Sequence, residues 1–206
     1  MKILITGANG MLGKAVKDEF KEENVICTDV EELDITNEKM VEEFVCKEKP
    51  NVIINCAAYT NVDKAEECPE IAYKINAIGP KNLAKASKEN DAILVHISTD
   101  YVFGGEKCIE QVYKEDDEKK PQTVYGSTKL VGEKFIQEEN CKAYIFRTAW
   151  LYGEGNNFVR TMINLSQKCR EVNVVGDQHG SPTYAVDLAN IIKQSLQKEI
   201  PFGVYN

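Results

Sequence analysis

The stretch "KILITGANGMLGKAVKDEF", residues 2–20, sets an apolar run against a glycine-spaced turn and then a helical stripe. "KILIT" (2–6) reads as a short buried strand that ends at Gly7. Leu12, Ala15, Val16 and Phe20 then recur at the spacing of one helix face. Between them Gly7, Gly10 and Gly13 stand as G-x-x-G-x-x-G at a strand–helix junction. There Gly7 permits a tight turn, Gly10 lets a pyrophosphate approach the backbone, and Gly13 lets the helix pack close to the strand. The helix N-terminus presents free N–H groups and a positive dipole end to an anion. Gly7, Asn9, Gly10, Met11, Leu12 and Gly13 are therefore the expected phosphate-binding segment of a dinucleotide site.

The alternation continues along the chain. "VICTD" (25–29), "NVIINCAA" (51–58), "ILVHIST" (93–99), "AYIFRT" (143–148), "VNVVGD" (172–177) and "GVYN" (203–206) read as further strands. Asn37 can cap a helix bearing Met40, Val41, Phe44 and Val45 and ending at Pro50. Pro69 suits a helix start, with Ala72, Ile75, Leu83 and Ala86 continuing the stripe. Helices are expected near 123–134 and 157–168, and around Val186, Leu188, Ile191, Ile192 and Leu196. The charge run "KEDDEKK" (114–120) reads as a solvated loop. Near-continuous apolar strands alternating with helices predict an α/β fold: a doubly wound, Rossmann-type parallel sheet with helices on both faces. No repeat or linker divides residues 1–206, so one dinucleotide-binding domain is expected.

Bulk composition narrows the function classes. The 206 residues suffice for one domain with its own core. Thirty-three acidic against 25 basic residues give a net charge of −8, which argues against a nucleic-acid or anionic-membrane partner. No apolar run approaches a membrane span. Seven scattered cysteines without a C-x-x-C pattern read as free thiols in a reducing cytoplasm, and two histidines make a zinc site unexpected.

The second strand ends at Asp29, where an acidic side chain hydrogen-bonds the adenosine ribose 2′-hydroxyl and repels a 2′-phosphate. "TDVEELDIT" holds no arginine, so NADH is favoured over NADPH, and Asp34 and Ile35 are expected along the adenine. A nicotinamide cofactor implies hydride transfer, and reducing a ketone also requires a proton on oxygen. Within "TVYGSTKLVGEK" (123–134), Tyr125 and Lys129 lie four apart and so on one helix face. An ammonium beside a phenol is expected to lower the phenol's pKa from about 10 and suit it to general acid work. Lys129 can also hold the nicotinamide ribose. "ISTDY" supplies Ser98 and Thr99 at the carboxyl end of the fourth strand, where ligands of such sheets bind and where either hydroxyl can hydrogen-bond the substrate carbonyl oxygen beside Tyr125.

These residues resemble the extended short-chain dehydrogenase/reductases, and more narrowly the dTDP-4-dehydrorhamnose reductase family. The resemblance rests on "GANGMLG" (7–13), "NCAAYTNVDKAE" (55–66), "KINAIGPKNLA" (74–84), "HISTDYVF" (96–103), "YGSTK" (125–129), "RTAWLYGEGNNFV" (147–159) and "DQHGSPTYAVDLA" (177–189). It implies reduction of the C4 ketone of dTDP-4-dehydro-L-rhamnose by NADH or NADPH. By residue match it implies Thr99, Tyr125 and Lys129 as the catalytic trio. Asp100, Tyr101 and Trp150 would contact the sugar, with Val62 lining the same pocket. Ala57, Ala58, Tyr59 and Thr60 would lie beside the cofactor, with Ser98 and Asn76 on its protein side. His96 and His179 read as structural. The resemblance leaves room for Mg²⁺ without assigning ligands, and for a homodimer. Gly104 stands where the family usually shows aspartate, at a turn where little effect is expected. The family continues past "GVYN" into a region that helps close over the sugar nucleotide, so a missing or truncated C-terminal region is expected here.

Two other readings stay open at this point. Related dehydratases place Asp-Glu after the threonine, whereas Asp100 is followed here by Tyr101; an epimerase would recycle its cofactor. A non-catalytic dinucleotide-binding regulatory subunit is the third reading.

Overall fold

The computed structural model describes residues 1–108 and 110–206. Eight strands and eight α-helices follow one another: β1 (Lys2–Thr6), α1 (Met11–Glu19), β2 (Asn24–Thr28), α2 (Glu38–Glu48), β3 (Val52–Asn55), α3 (Val62–Glu67), α4 (Pro69–Tyr73), α5 (Gly79–Glu89), β4 (Ile93–Thr99), α6 (Val124–Glu139), β5 (Ala143–Thr148), β6 (Leu151–Tyr152), α7 (Phe158–Ser166), β7 (Thr183–Tyr184), α8 (Ala185–Gln197) and β8 (Gly203–Tyr205). The main sheet is parallel throughout, in the order β2-β1-β3-β4-β5-β8. β6 and β7 form a separate two-residue ladder.

Strand alternation sorts the core into two layers. Ile3, Ile5, Val52, Ile54, Val95, Tyr144 and Phe146 point to one face, against Leu12 and Val16 of α1 and Leu188 and Ile192 of α8. Leu4, Ile53, Leu94 and Ile145 point to the other, against Val41 and Val45 of α2, Leu83 and Ala84 of α5 and Ile136 of α6. Each layer buries many aliphatic side chains completely, at about 25 cal/mol per Å² of apolar surface removed from water. The doubly wound prediction therefore holds. Only β2 lies on the far side of β1. The winding direction reverses between β1 and β3, and the carboxyl ends of these strands flank the crevice where such sheets bind ligands.

Two local expectations are met. The Asn37 side chain accepts the Met40 N–H and caps α2. Pro69 stands at the first position of α4.

One is corrected. "VNVVGD" (172–177) forms no strand; its Val172, Val174 and Val175 are exposed. The β-branched composition satisfies strand propensity, but the edge beside β5 is taken by β8, which pairs Tyr144 with Gly203 and Phe146 with Tyr205. The "KEDDEKK" run is a loop, as read, but it is tethered. Lys107 pairs with Asp117, and Glu115 accepts the backbone N–H of Asn206 at 2.9 Å.

Candidate active site

The glycine loop closes against β3. Gly7 has φ +66°, and a Cβ there would stand 2.6 Å from the Ala57 nitrogen. A Cβ on Gly13 would stand 2.3 Å from the Gly7 oxygen, so α1 packs on the turn only as glycine. Gly10 caps α1 without any side-chain hydrogen bond, which leaves the first-turn N–H groups of Met11, Leu12 and Gly13 facing outward along the helix axis. Leu12 contributes backbone alone, since its side chain is core. A cavity of about 250 Å³ opens beside this loop, lined by Gly7, Gly10, Asp29, Asp34, Ile35 and Ala57 among others. Asp29 fixes the rim: its carboxylate accepts the N–H groups of Asn9 (3.2 Å) and Val30 (2.9 Å). Asp34 accepts both the N–H and the hydroxyl of Thr36. Uncapped backbone donors at the start of α1, two glycines that no side chain can replace, and a carboxylate at the end of β2 fit a dinucleotide.

The next wall is set by one buried amide. Asn76 lies in a π-helical turn, Lys74–Ile78, between α4 and α5. Its side chain accepts the Tyr59 N–H (2.8 Å), donates to the Tyr59 carbonyl (3.1 Å) and donates to Thr128 (3.2 Å). Asn76 therefore stands behind the 57–60 loop and ties it to α6, with its polar atoms spent there. The widened turn brings its own backbone against α6, where a Cβ on Gly132 would meet the Asn76 oxygen at 2.2 Å.

α6 carries the candidate trio's two long side chains. Thr123 caps it through the Gly126 N–H at 3.0 Å, so Tyr125 and Lys129 lie on adjacent turns of one face. Thr99 ends β4, accepts the Tyr101 N–H at 3.2 Å and donates to Asp100 at 3.1 Å. Burial pushes the Tyr125 phenol up to about 12; the neighbouring Thr99 hydroxyl opposes this, while Asp100 and Tyr101 add to it. Tyr101 packs edge-on against the Tyr125 ring, centroids 5.6 Å apart. Burial also raises the Asp100 carboxyl.

Lys129 departs from its expected role. Its Nζ donates to the Ile97 carbonyl at 2.5 Å and faces His96 Nε2 at 3.4 Å. Burial lowers it to about 8, against opposing contributions from Glu133 and Cys56. The phenol is not pulled down by this ammonium in the structure. A cation with 1% exposure needs an acceptor at hand, and the β4 backbone supplies one.

The remaining predicted residues divide. Ser98 turns away from Thr99 across the strand and donates to Glu133. Ala57 and Ala58 are partly buried and line the cavity, Tyr59 is partly buried beyond them, and Thr60 is exposed. Val62 opens α3 and is half-buried. Trp150 is not core: it is 45% exposed, has φ +45°, and lies over Gly180. Among the described residues, no three His, Cys, Asp or Glu side chains are placed to hold a metal ion. Among the described residues no helix is long and apolar enough to cross a membrane, and the seven cysteines are unpaired.

A family model described as the RmlD substrate binding domain matches residues 1–206. The chain belongs to this family. A dTDP-4-dehydrorhamnose reductase of Mycolicibacterium smegmatis is 45% identical over 207 residues, covering 98% of this chain; the chain spans 62% of that relative's length. A crystal structure of a dTDP-4-dehydrorhamnose reductase from Clostridium acetobutylicum superposes with a TM-score of 0.96 at 55% identity, covering 100% of this chain and 73% of that one. Another, from Bacillus anthracis in complex with NADP, gives 0.94 at 45% identity, covering 99% and 73%.

In this RmlD-family chain the sequence reading passed over the groups that hold the site together. Glu133 and Arg147 form a buried pair, with Nε–Oε1 at 2.9 Å and Nη2–Oε2 at 2.6 Å. Arg147 Nη1 also donates to the Glu115 carbonyl at 3.2 Å, which anchors the charged loop. The available signal was spacing: Glu133 follows Lys129 by one helical turn.

Proposed function

We propose that the protein reduces the C4 ketone of dTDP-4-dehydro-L-rhamnose to the alcohol at the expense of a reduced nicotinamide dinucleotide. The observation that carries the proposal is that the Tyr125 phenol neighbours the Thr99 hydroxyl and Lys129 meets the Ile97 carbonyl at the carboxyl end of β4, the same sheet edge at which the glycine loop leaves β1. When bound, the reduced cofactor supplies the hydride that C4 accepts. Thr99 hydrogen-bonds the ketone oxygen and orients it. Tyr125, held as the neutral phenol by burial, transfers its proton to that oxygen as the C–H bond forms. Lys129, while charged, places a cation one helical turn from the phenolate left behind. Asp100, Tyr101 and the exposed face of Trp150 are the side chains we assign to the sugar.

Asp29 favours a 2′-hydroxyl over a 2′-phosphate, so NADH is the expected preference. The Bacillus anthracis relative holds NADP, which makes the comparison of both nucleotides informative. The test is stoichiometry. Incubated with keto sugar and excess reduced cofactor, the protein should oxidise one cofactor per sugar reduced. Sugar turnover without net oxidation would indicate an epimerase. Cofactor binding without turnover would indicate a regulatory dinucleotide-binding role.

A further inference from the structure

A buried polar chain runs beneath the candidate site from β1 to α6. Thr6 donates its hydroxyl to Asn55 Oδ1 at 2.8 Å, and the Ala57 N–H donates to the same oxygen at 3.1 Å. These two donors fix the Asn55 amide, so its nitrogen is the atom that meets His96 Nδ1 at 3.1 Å. An amide nitrogen only donates, so Nδ1 must accept and carries no proton. The imidazole proton is then on Nε2, and Nε2 faces Lys129 Nζ at 3.4 Å. A lysine ammonium also only donates. His96 thus presents a hydrogen to the ammonium and a matched donor to the uncharged amine.

We propose that His96 is a positioning residue whose Asn55-fixed tautomer sets the charge of Lys129, disfavouring the ammonium and holding the side chain against Ile97. The role in reduction rests on the function proposed above; the tautomer and the titration do not. His96 and Asn55 are 0% and 1% exposed, so water does not relieve the opposed donors. Burial and the Lys129 charge both keep His96 neutral, well below its ordinary range. The other groups facing Lys129 are the Cys56 thiol at the end of β3 and Glu133 on its own helix. Cys56 is pushed up to about 12 by burial and stays neutral. Glu133 is engaged by Arg147 and Ser98. Asn55 is one strand away from the cation yet decides which face of the imidazole Lys129 sees.

The test reads protons, not turnover. Ring ¹⁵N spectra of the unaltered protein should show His96 neutral with its proton on Nε2; His179→Gln assigns the second histidine. An Nδ1–H tautomer or an imidazolium near neutral pH would overturn the proposal, and this measurement needs no variant to fold. Asn55→Asp offers a carboxylate to Nδ1, which lets the proton move there and turns Nε2 into an acceptor. The Lys129 ¹³Cε titration, with its midpoint expected near 8 in the parent, should then rise by about one pH unit or more. His96→Phe keeps the ring and removes the N–H, and should raise the midpoint as well. An unchanged Lys129 midpoint in folded forms of both variants would reduce His96 to a space-filling residue.

Discussion

The Nζ of Lys129 lies 2.5 Å from the carbonyl oxygen of Ile97, on the strand that ends in Thr99. The cation is anchored to the backbone that presents the candidate hydroxyl, and only one turn of α6 separates it from Tyr125. That anchor is bought with desolvation, and its consequences are measurable.

Lys129→Met should stabilise the fold while removing activity. Replacing a buried charge by an apolar side chain of similar length is worth about 1 kcal/mol or more. The folded pKa is depressed from 10.5 to about 8. Below about 8 both folded and unfolded states carry the proton, and the full cost of burying the charge is felt. Between about 8 and 10.5 the unfolded chain binds more protons, so the parent's stability rises with pH there. Urea denaturation should therefore show the variant's advantage at neutral pH and its narrowing as pH rises through that window.

The pH profile of kcat/KM should fall above about 8, following loss of the Lys129 charge. Tyr125, raised to about 12, should contribute no limb across the neutral range. A rate that stays level through pH 9–10, measured with saturating cofactor, would remove the Lys129 charge from the mechanism.

Glu133→Gln should cost about 3–5 kcal/mol in stability, because it leaves the Arg147 guanidinium buried without its countercharge. Chemical denaturation checks this. A loss under 1 kcal/mol, within the usual range for about any surface pair, would mean that the pair does not hold β5 to α6.

Asp29→Ser should shift nucleotide preference towards NADPH by about tenfold or more, since it removes a carboxylate from beside the 2′ position. Fluorescence titration of both nucleotides with parent and variant reads it. Equal affinities before and after would place Asp29 outside the ribose site, as a residue serving only Asn9 and Val30.

The β1–α1 loop was legible because its chemistry dictates residue type and spacing together: no Cβ fits at Gly7 or Gly13. Tyr125 and Lys129 were legible as a pair on one helix face, but not in their electrostatics. Helical spacing says that two side chains are neighbours; it does not say that the Ile97 carbonyl will claim the ammonium first. Glu133 and Arg147 were invisible because charged residues read as surface until a partner buries them. The π-turn hid for a related reason. "KINAI" carries no glycine or proline to mark a break, and only the depth of Asn76 and the approach of Gly132 reveal the extra residue. "VNVVGD" misled in the opposite direction, since strand propensity is local and a sheet edge is not.

Tyr125 is the group assigned to deliver the proton during ketone reduction. Single-turnover mixing of reduced cofactor and dTDP-4-dehydro-L-rhamnose with parent and Tyr125→Phe tests that assignment most directly. Both proteins should bind both ligands, and the variant should oxidise the cofactor about 10²–10⁴-fold more slowly. Oxidation by the variant at the parent's rate would contradict the assignment.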